Sequence, residues 1–373
     1  MIVMNETPFV TGWTVGFQPD GREVVVLAVK ATYRLRLGNR PEPRLADEQQ
    51  PLLEADEFGV DPACDAPVSE NDFALFKPSC DILVSAKAYS PREKFVTRVE
   101  VGVLVGAWRK VFAVVGKRHW RKSMIGTSMT APEPFQCQKI TYDVAFGGTD
   151  VDPTEPSRVQ TYLENPVGQG FCHFKANLEG LALPLTEEAA KPVSDPTGEY
   201  QPMAFGPVGR NWFPRFKYGG TYDEAWLQEK IPFLPDDFDY RYFQAAPLDQ
   251  QIAYPAGGEP IVLANLTQEG RLESRVPTES IFVSFVRKRG ESSDIQANLD
   301  TILIDAENDR LCLTWRAVCP LHRDPFELRE MVVERACDRT PGKVRARMRG
   351  KKYMDTIGDA ERRRREGLAK LHD

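Results

Sequence analysis

In TRVEVGVLVGAWRKVFAVV, residues 97–115, Val99, Val101, Val103 and Val105 fall two positions apart. A strand puts such a series on one face, whereas a helix would scatter it. Gly106-Ala107-Trp108 then reads as a short hairpin connection, and Lys110–Val115 as the returning strand. The valine stripe needs a core to face, so the expectation is a half-buried antiparallel sheet.

The same reading extends towards the N-terminus. Asp81–Tyr89 is a candidate strand. So are Phe9–Phe17 and Glu23–Arg36, joined by the turn sequence Gln18-Pro19-Asp20-Gly21-Arg22. The second of these starts apolar on both faces and turns polar on one from Lys30 onward. Between them and residue 81 lies Leu45–Asp72, with nine acidic residues, three prolines and no basic residue. It lacks a period and reads as a long acidic loop.

Towards the C-terminus a strand is expected over Lys139–Phe146, stopping at Gly147-Gly148. From there to Pro277 the alternation fades, and Pro, Gly and aromatic residues crowd in. One helix is expected in this stretch, at Tyr222–Lys230, with Thr221 and Glu224 as a capping box and Trp226 and Leu227 as anchors. Strands resume at Glu279–Arg287, Asn298–Asp305, Arg310–Arg316 and Leu328–Arg335. A basic stretch follows, then a helix from Asp355 to Leu371 capped by Thr356 and Asp359.

The chain thus divides into a β-rich region (1–148), an irregular aromatic-rich insert with one helix (149–277), C-terminal strands (278–338) and a basic tail (339–373). The fold class is mainly β, with antiparallel sandwich-like or barrel-like sheets and a short C-terminal helix. One sheet system with an insert and two β-domains in series both satisfy this pattern.

Composition narrows the function. Hydrophobic residues make up 42% and charged ones 27%, which excludes global disorder across 373 residues. No apolar run approaches the ~20 residues that a bilayer-crossing helix needs, and the first residues lack a signal peptide's basic flank and apolar stretch. The expected location is the cytoplasm. The seven cysteines (64, 80, 137, 172, 312, 319 and 337) are then free thiols, mostly buried. Net charge is −6, but residues 339–373 carry 12 Lys and Arg against 5 Asp and Glu, or +7, leaving −13 for residues 1–338. An acidic body with a basic tail is a partner signal.

Catalytic signatures are sparse. Only four histidines are present, and no paired-histidine zinc helix, nucleophile elbow, phosphate-binding loop or dinucleotide fingerprint occurs. Cys312, Cys319, His322 and Cys337 lack the tight pairs of a structural zinc site, so packing is the expected role. Cys172-His173 are chain neighbours that an extended backbone points apart, which disfavours a nucleophilic dyad. Asp236, Asp237 and Asp239 lack the glycine turn of a calcium loop and suit caps or a solvated turn. No catalytic residue, metal or cofactor is expected.

The run Lys343, Arg345, Arg347, Arg349, Lys351 and Lys352, continued by Arg362–Arg365, suits a solvated face, the acidic loop at 45–72 or an acidic protein partner. Nucleic acid is disfavoured, because Tyr353 is the only aromatic residue there.

Several segments, taken in order, resemble a known bacterial family. They include Asp20-Gly21-Arg22 leading into Val24–Tyr33, Trp108–Trp120, Tyr142–Gly148 and Asn165–Gly170. Phe205–Arg215, Gly220–Trp226, Phe238-Asp239, Phe243–Pro247 and Asp249–Gln251 continue the set, which Leu299–Ile302 and Leu313–Arg316 close. Together they resemble domain-of-unknown-function family 2169 over roughly residues 4–320. The resemblance implies a type VI secretion adaptor or chaperone. Its partners would be an effector or PAAR-domain spike tip and the VgrG spike protein, with no catalytic residues to carry over.

The expected contact surface combines Tyr222, Trp226, Tyr240, Tyr242 and Phe243 with Arg345, Arg347 and Arg349; Tyr218 belongs to the same aromatic stretch. These aromatics also suit a core. The competing class is a carbohydrate-active β-sandwich enzyme using two carboxylates, for which the 54 acidic residues offer candidates.

Overall fold

The computed structural model describes residues 2–350, apart from 39, 41, 62–64, 124 and 125, together with 353, 356, 358, 361 and 362. Fifteen strands build three main sheets. In chain order they begin with β1 (Ile2–Asn5), β2 (Val10–Phe17), β3 (Glu23–Arg34), β4 (Cys80–Ser85), β5 (Arg98–Val105), β6 (Trp108–Val115) and β7 (Thr186–Glu187). β8 (Gln251–Ile252), β9 (Pro260–Ala264), β10 (Arg271–Arg275) and β11 (Ile281–Arg287) follow. β12 (Ser293–Gln296), β13 (Asn298–Asp305), β14 (Arg310–Pro320) and β15 (Leu328–Arg335) complete them. Among the described residues two α-helices, α1 (Glu224–Glu229) and α2 (Pro341–Met348), lie outside the sheets. The fold is mainly β, as the alternation predicts.

The largest sheet has six strands in the order β8-β4-β13-β14-β3-β2. It joins strands from both ends of the chain, because β3 pairs with β14 along its length, from Arg34 opposite Arg310 to Val24 opposite Pro320. Of the two arrangements left open by the sequence, the structure has one sheet system. A five-stranded sheet runs β7-β6-β5-β9-β10 and a four-stranded sheet runs β1-β15-β11-β12. All three send side chains into one core, including Val25, Leu27 and Val29 of β3, Val99 to Val105 in steps of two, Ile281, Val283 and Phe285 of β11, and Leu313 and Trp315 of β14. Each of the four valines of β5 is at most 7% exposed, a burial worth about 1.5–3 kcal/mol apiece as an upper figure.

The other face of β3 is buried too. The acidic segment lies across it, with Leu52 and Phe73 over Gly12 and Leu75 over Gly16, where a Cβ would fall within 3 Å of those side chains. A charged network fastens it: Lys30 pairs with Asp72 at 2.7 Å, Lys77 with Asp81 at 2.7 Å, and Arg316 with Asp300. Arg316 also donates to the Asp72 carbonyl, and Gln244 to Asp81. All six charged groups are buried. Three cations match three anions, so the sheet keeps its charges without a net excess. Burial raises the Asp300 carboxyl above its ordinary range, while Arg316 and Lys77 pull it back.

Several expectations need correcting. The strand expected at Lys139–Phe146 ends at residue 139, and Tyr142–Val144 forms a turn of 3₁₀ helix. Asn165 takes the carbonyls that a ladder would use, donating to Tyr142 at 2.8 Å and Phe146 at 3.0 Å. Asp81–Tyr89 is broken into β4 and Lys87–Tyr89. Residues 149–277 are not wholly irregular, since they supply β7 to β10 to the main sheets. In β9, Ile261 and Leu263 face the core opposite Val105 and Val103, a short alternation hidden between turn signals. Helix α1 begins at Glu224 with Asp223, not Thr221, as its cap, and Leu227 is exposed rather than anchoring it.

The start of the basic tail is also not free. α2 packs against β11, and Arg347 is buried, paired with Glu334 and donating to Ser284 at 3.1 Å. Lys343 reaches Glu6 and Glu334, and Arg339 reaches Asp294 and stacks 4.1 Å from the Phe282 ring. These residues therefore clasp the sheet rather than the acidic loop. That loop has other partners, Arg210 on Asp56 and Glu70, and Arg215 on Glu70. Most of the helix expected at 355–371, with Asp359 of its cap, falls outside the described residues.

Candidate docking face

Gly219 and Gly220 end a 3₁₀ turn, and the chain then folds back on residues 235–243. Asp237 accepts from the Thr221 amide at 2.9 Å and hydroxyl at 2.7 Å, and the Asp239 amide donates to Tyr218 at 2.9 Å. Asp239 caps the next turn by accepting from the Arg241 amide. Two of the three aspartates thus act as caps or turn braces, and Asp236 pairs with Lys230 at 2.6 Å. This short-range polar bracing holds aromatic side chains where no ladder does.

Phe238 is the hub. Its ring lies 5.7, 5.9 and 5.6 Å from those of Tyr240, Tyr242 and Phe243, and Tyr240 meets Phe76 edge-on at 5.4 Å. Tyr222 and Trp226 form a separate edge-on pair at 4.7 Å, and the Trp226 indole donates to Phe233 at 2.9 Å. Between residues 76–79 and 236–241 runs an open groove of about 700 Å³, walled by Phe76, Phe238 and Tyr240 with Asp236, Asp239 and Arg241. Beside it Tyr222, Leu227 and Ile231 are each more than half exposed.

The face presents fixed chemistry near neutral pH. The Thr221 amide holds Asp237 below its ordinary value, and the Arg241 guanidinium does the same for Asp239. Burial raises the Tyr240 phenol, with Asp20 adding to it, and burial likewise raises Tyr222. Ionised carboxylates, phenol donors and apolar rings stand together, an arrangement that suits an apolar protein segment carrying positive charge.

The structure brings Tyr240, Tyr242 and Phe243 into one cluster, with Tyr222 and Trp226 beside it. Tyr242 and Phe243 are half-buried, and Tyr242 has Arg210 and Arg215 over its ring at 5.7 and 5.9 Å, which makes it partly a packing residue. Arg345 on α2 and Arg349 just past its end are exposed, and Arg347 is buried in the clasp. Sequence reasoning missed Phe76, Phe238 and Arg241 as groove walls; Phe238 lies inside the aspartate cluster that drew notice for its charges.

Packing accounts for most of the remaining candidates but not for Cys337, which is exposed where a packing role was expected. Cys80, Cys172, Cys312 and Cys319 are buried free thiols, and Cys137 and Cys337 are exposed; Cys64 lies outside the described residues. Burial pushes the Cys172 thiol up to about 11, and its Sγ lies 3.3 Å from the Phe174 carbonyl, which disfavours a thiolate nucleophile. Among the described residues no group of three His, Cys, Asp or Glu is placed to hold a metal ion. Among them, too, no helix is long and apolar enough to cross a membrane.

Two ordered motifs outside the groove are structural. Gly147 and Gly148 have φ of 148° and 119°, and a Cβ on Gly147 would fall 2.2 Å from the Asn165 carbonyl. Phe146-Gly147 pairs in parallel with Gln169-Gly170, so residues 142–148 and 165–170 form one interlocked unit.

No curated protein and no solved structure matches the chain. The sequence profile of a family described as an uncharacterized protein conserved in bacteria, DUF2169, matches residues 20–316, a span containing the interlocked motifs and the whole groove. The chain belongs to the DUF2169 family.

Proposed function

We propose that the protein is a cytoplasmic adaptor that turns over no substrate. In this reading it holds a type VI secretion effector, or a PAAR-domain spike-tip protein, and delivers it to the VgrG spike protein. Family membership supports the reading through the role that the resemblance implies. The observation that carries it is the open aromatic groove with its exposed neighbours Tyr222, Leu227 and Ile231. A chain keeps such a patch exposed when something docks on it.

The test is co-purification of the tagged protein with the products of neighbouring spike and toxin genes. The expected result is capture of one of them, weakened at least tenfold by the double substitution Leu227→Ser, Ile231→Ser. Both side chains are more than half exposed, so the melting temperature should hold. Capture of none, with effector secretion unchanged on deletion, would overturn the adaptor and return attention to a carboxylate enzyme.

A further inference from the structure

The six outer edges of the three main sheets are not alike. β7 and β8 are two residues long, and β1 and β12 four. β10 is guarded by exposed Arg271, Glu273 and Arg275. Short or charged edges are the usual way to keep a sheet from recruiting another strand. β2 is different: eight residues, in unbroken register with β3, and no charged residue anywhere from Thr7 to Pro19.

Its pairing determines what faces outward. Gln18 donates to Arg22 at 2.9 Å, so the hydrogen-bonded pairs with β3 fall at even positions. Thr11, Trp13, Val15 and Phe17 therefore point their N–H and C=O groups away from the sheet. Among the described residues these groups have no backbone partner. Trp13 and Val15 stand on the core-side face, opposite Leu27 and Val25, yet remain 43% and 37% exposed. The edge thus offers both a ladder and an apolar shelf. At its end Phe17 meets Phe233 edge-on at 5.3 Å, and Phe233 is the residue that accepts from Trp226, so β2 leads into the docking face.

We infer that β2 receives an extended segment of a partner protein, alternating in apolar side chains and flanked by basic residues, as an added strand of the six-stranded sheet. Main-chain bonds would hold it and Trp13 and Val15 would select its side chains. Charge chooses the occupant. The edge ends near exposed Asp20, which pairs with Arg22 at 3.6 Å and whose charge reaches Tyr240 of the groove. Each whole chain carries −6, so a second copy meeting edge to edge would repel while a basic flank is attracted. The inference deepens the docking reading and rests on it only for which protein supplies the segment.

The probe is a ten-residue peptide of alternating valine and threonine closed by two lysines at each end, with a glutamate-ended twin. Backbone amide exchange is followed by NMR on the full chain. The amides of Thr11, Trp13, Val15 and Phe17 should exchange freely in the protein alone and slow at least tenfold with the lysine-ended peptide, which should bind at least tenfold more tightly than its twin. Val15→Lys adds the missing guard without breaking the ladder and should abolish binding with the melting temperature unchanged; Trp13→Lys serves if that variant does not fold. Amides already protected in the free chain, equal binding by the variant, equal binding of the two peptides, or a dimer abolished by Val15→Lys would each overturn the inference. Because the probe is synthetic, failure here is separable from failure to capture spike or toxin proteins.

Discussion

Glu334 is 1% exposed, and Arg347, Lys343 and Arg339 converge on it. Burial works against its ionised form, but the Arg347 hydrogen bonds and the nearby cations hold its carboxyl below the ordinary value. A lowered folded value contributes stability above the ordinary carboxylate pKa of about 4.3, and that stability is lost as pH falls through the folded value. Urea midpoints measured from pH 7 downward should therefore fall more steeply for the native chain than for Glu334→Gln. The alternating run Lys343, Arg345, Arg347, Arg349 hid this role. On a helix, steps of two alternate between opposite faces, so Lys343 and Arg347 share the inward side while Arg345 and Arg349 face out. Spacing alone showed the charges but not the buried carboxylate they serve. A second site is more costly to disturb. Gly147→Ala would force a Cβ against the Asn165 carbonyl at a φ of 148°, and Asn165→Ala would strip donors from two buried carbonyls. Each should cost about 2–4 kcal/mol in chemical denaturation.

At the level of elements, strands with one buried face were legible. β13 and β15 match their expected bounds and β5 carries the valine stripe, because period two with a core on one side leaves little choice of register. Ile140, Tyr142, Val144 and Phe146 show the same period and yet form no continuous strand, only the two-residue pairing at Phe146-Gly147, since Asn165, nineteen residues beyond Phe146, claims the carbonyls of Tyr142 and Phe146. A side chain from far along the chain overrides the local pattern, and nothing local announces it. The groove was half legible for the same reason: its aromatics are visible in sequence, but the Asp237 and Asp239 braces that aim them are not. The clasp formed by α2 yields a clear expectation. Ending the chain after Gly350 keeps Arg339, Lys343 and Arg347 in place and serves as the control. Ending it after Asp338 removes Arg339, Lys343 and Arg347 together and should cost about 3–5 kcal/mol, the penalty for orphaning a buried charge.

Across the whole molecule the central sheet is shared by chain segments almost three hundred residues apart, since β3 lies between β2 and β14. Residues 1–277 and 278–373 made separately should each lack cooperative unfolding and be digested rapidly by protease, while their co-expression should restore resistance. A protected 1–277 fragment would show that the first block can close a core without β13 and β14. The same pairing sets a timetable for synthesis. At about 5–20 residues per second, roughly 15–60 s separate the making of Arg34 from that of Pro320. Throughout that interval the apolar stretch of β3 has its hairpin neighbour on one side and no permanent neighbour on the other, so the nascent chain carries an open apolar strand edge until its last strands are made.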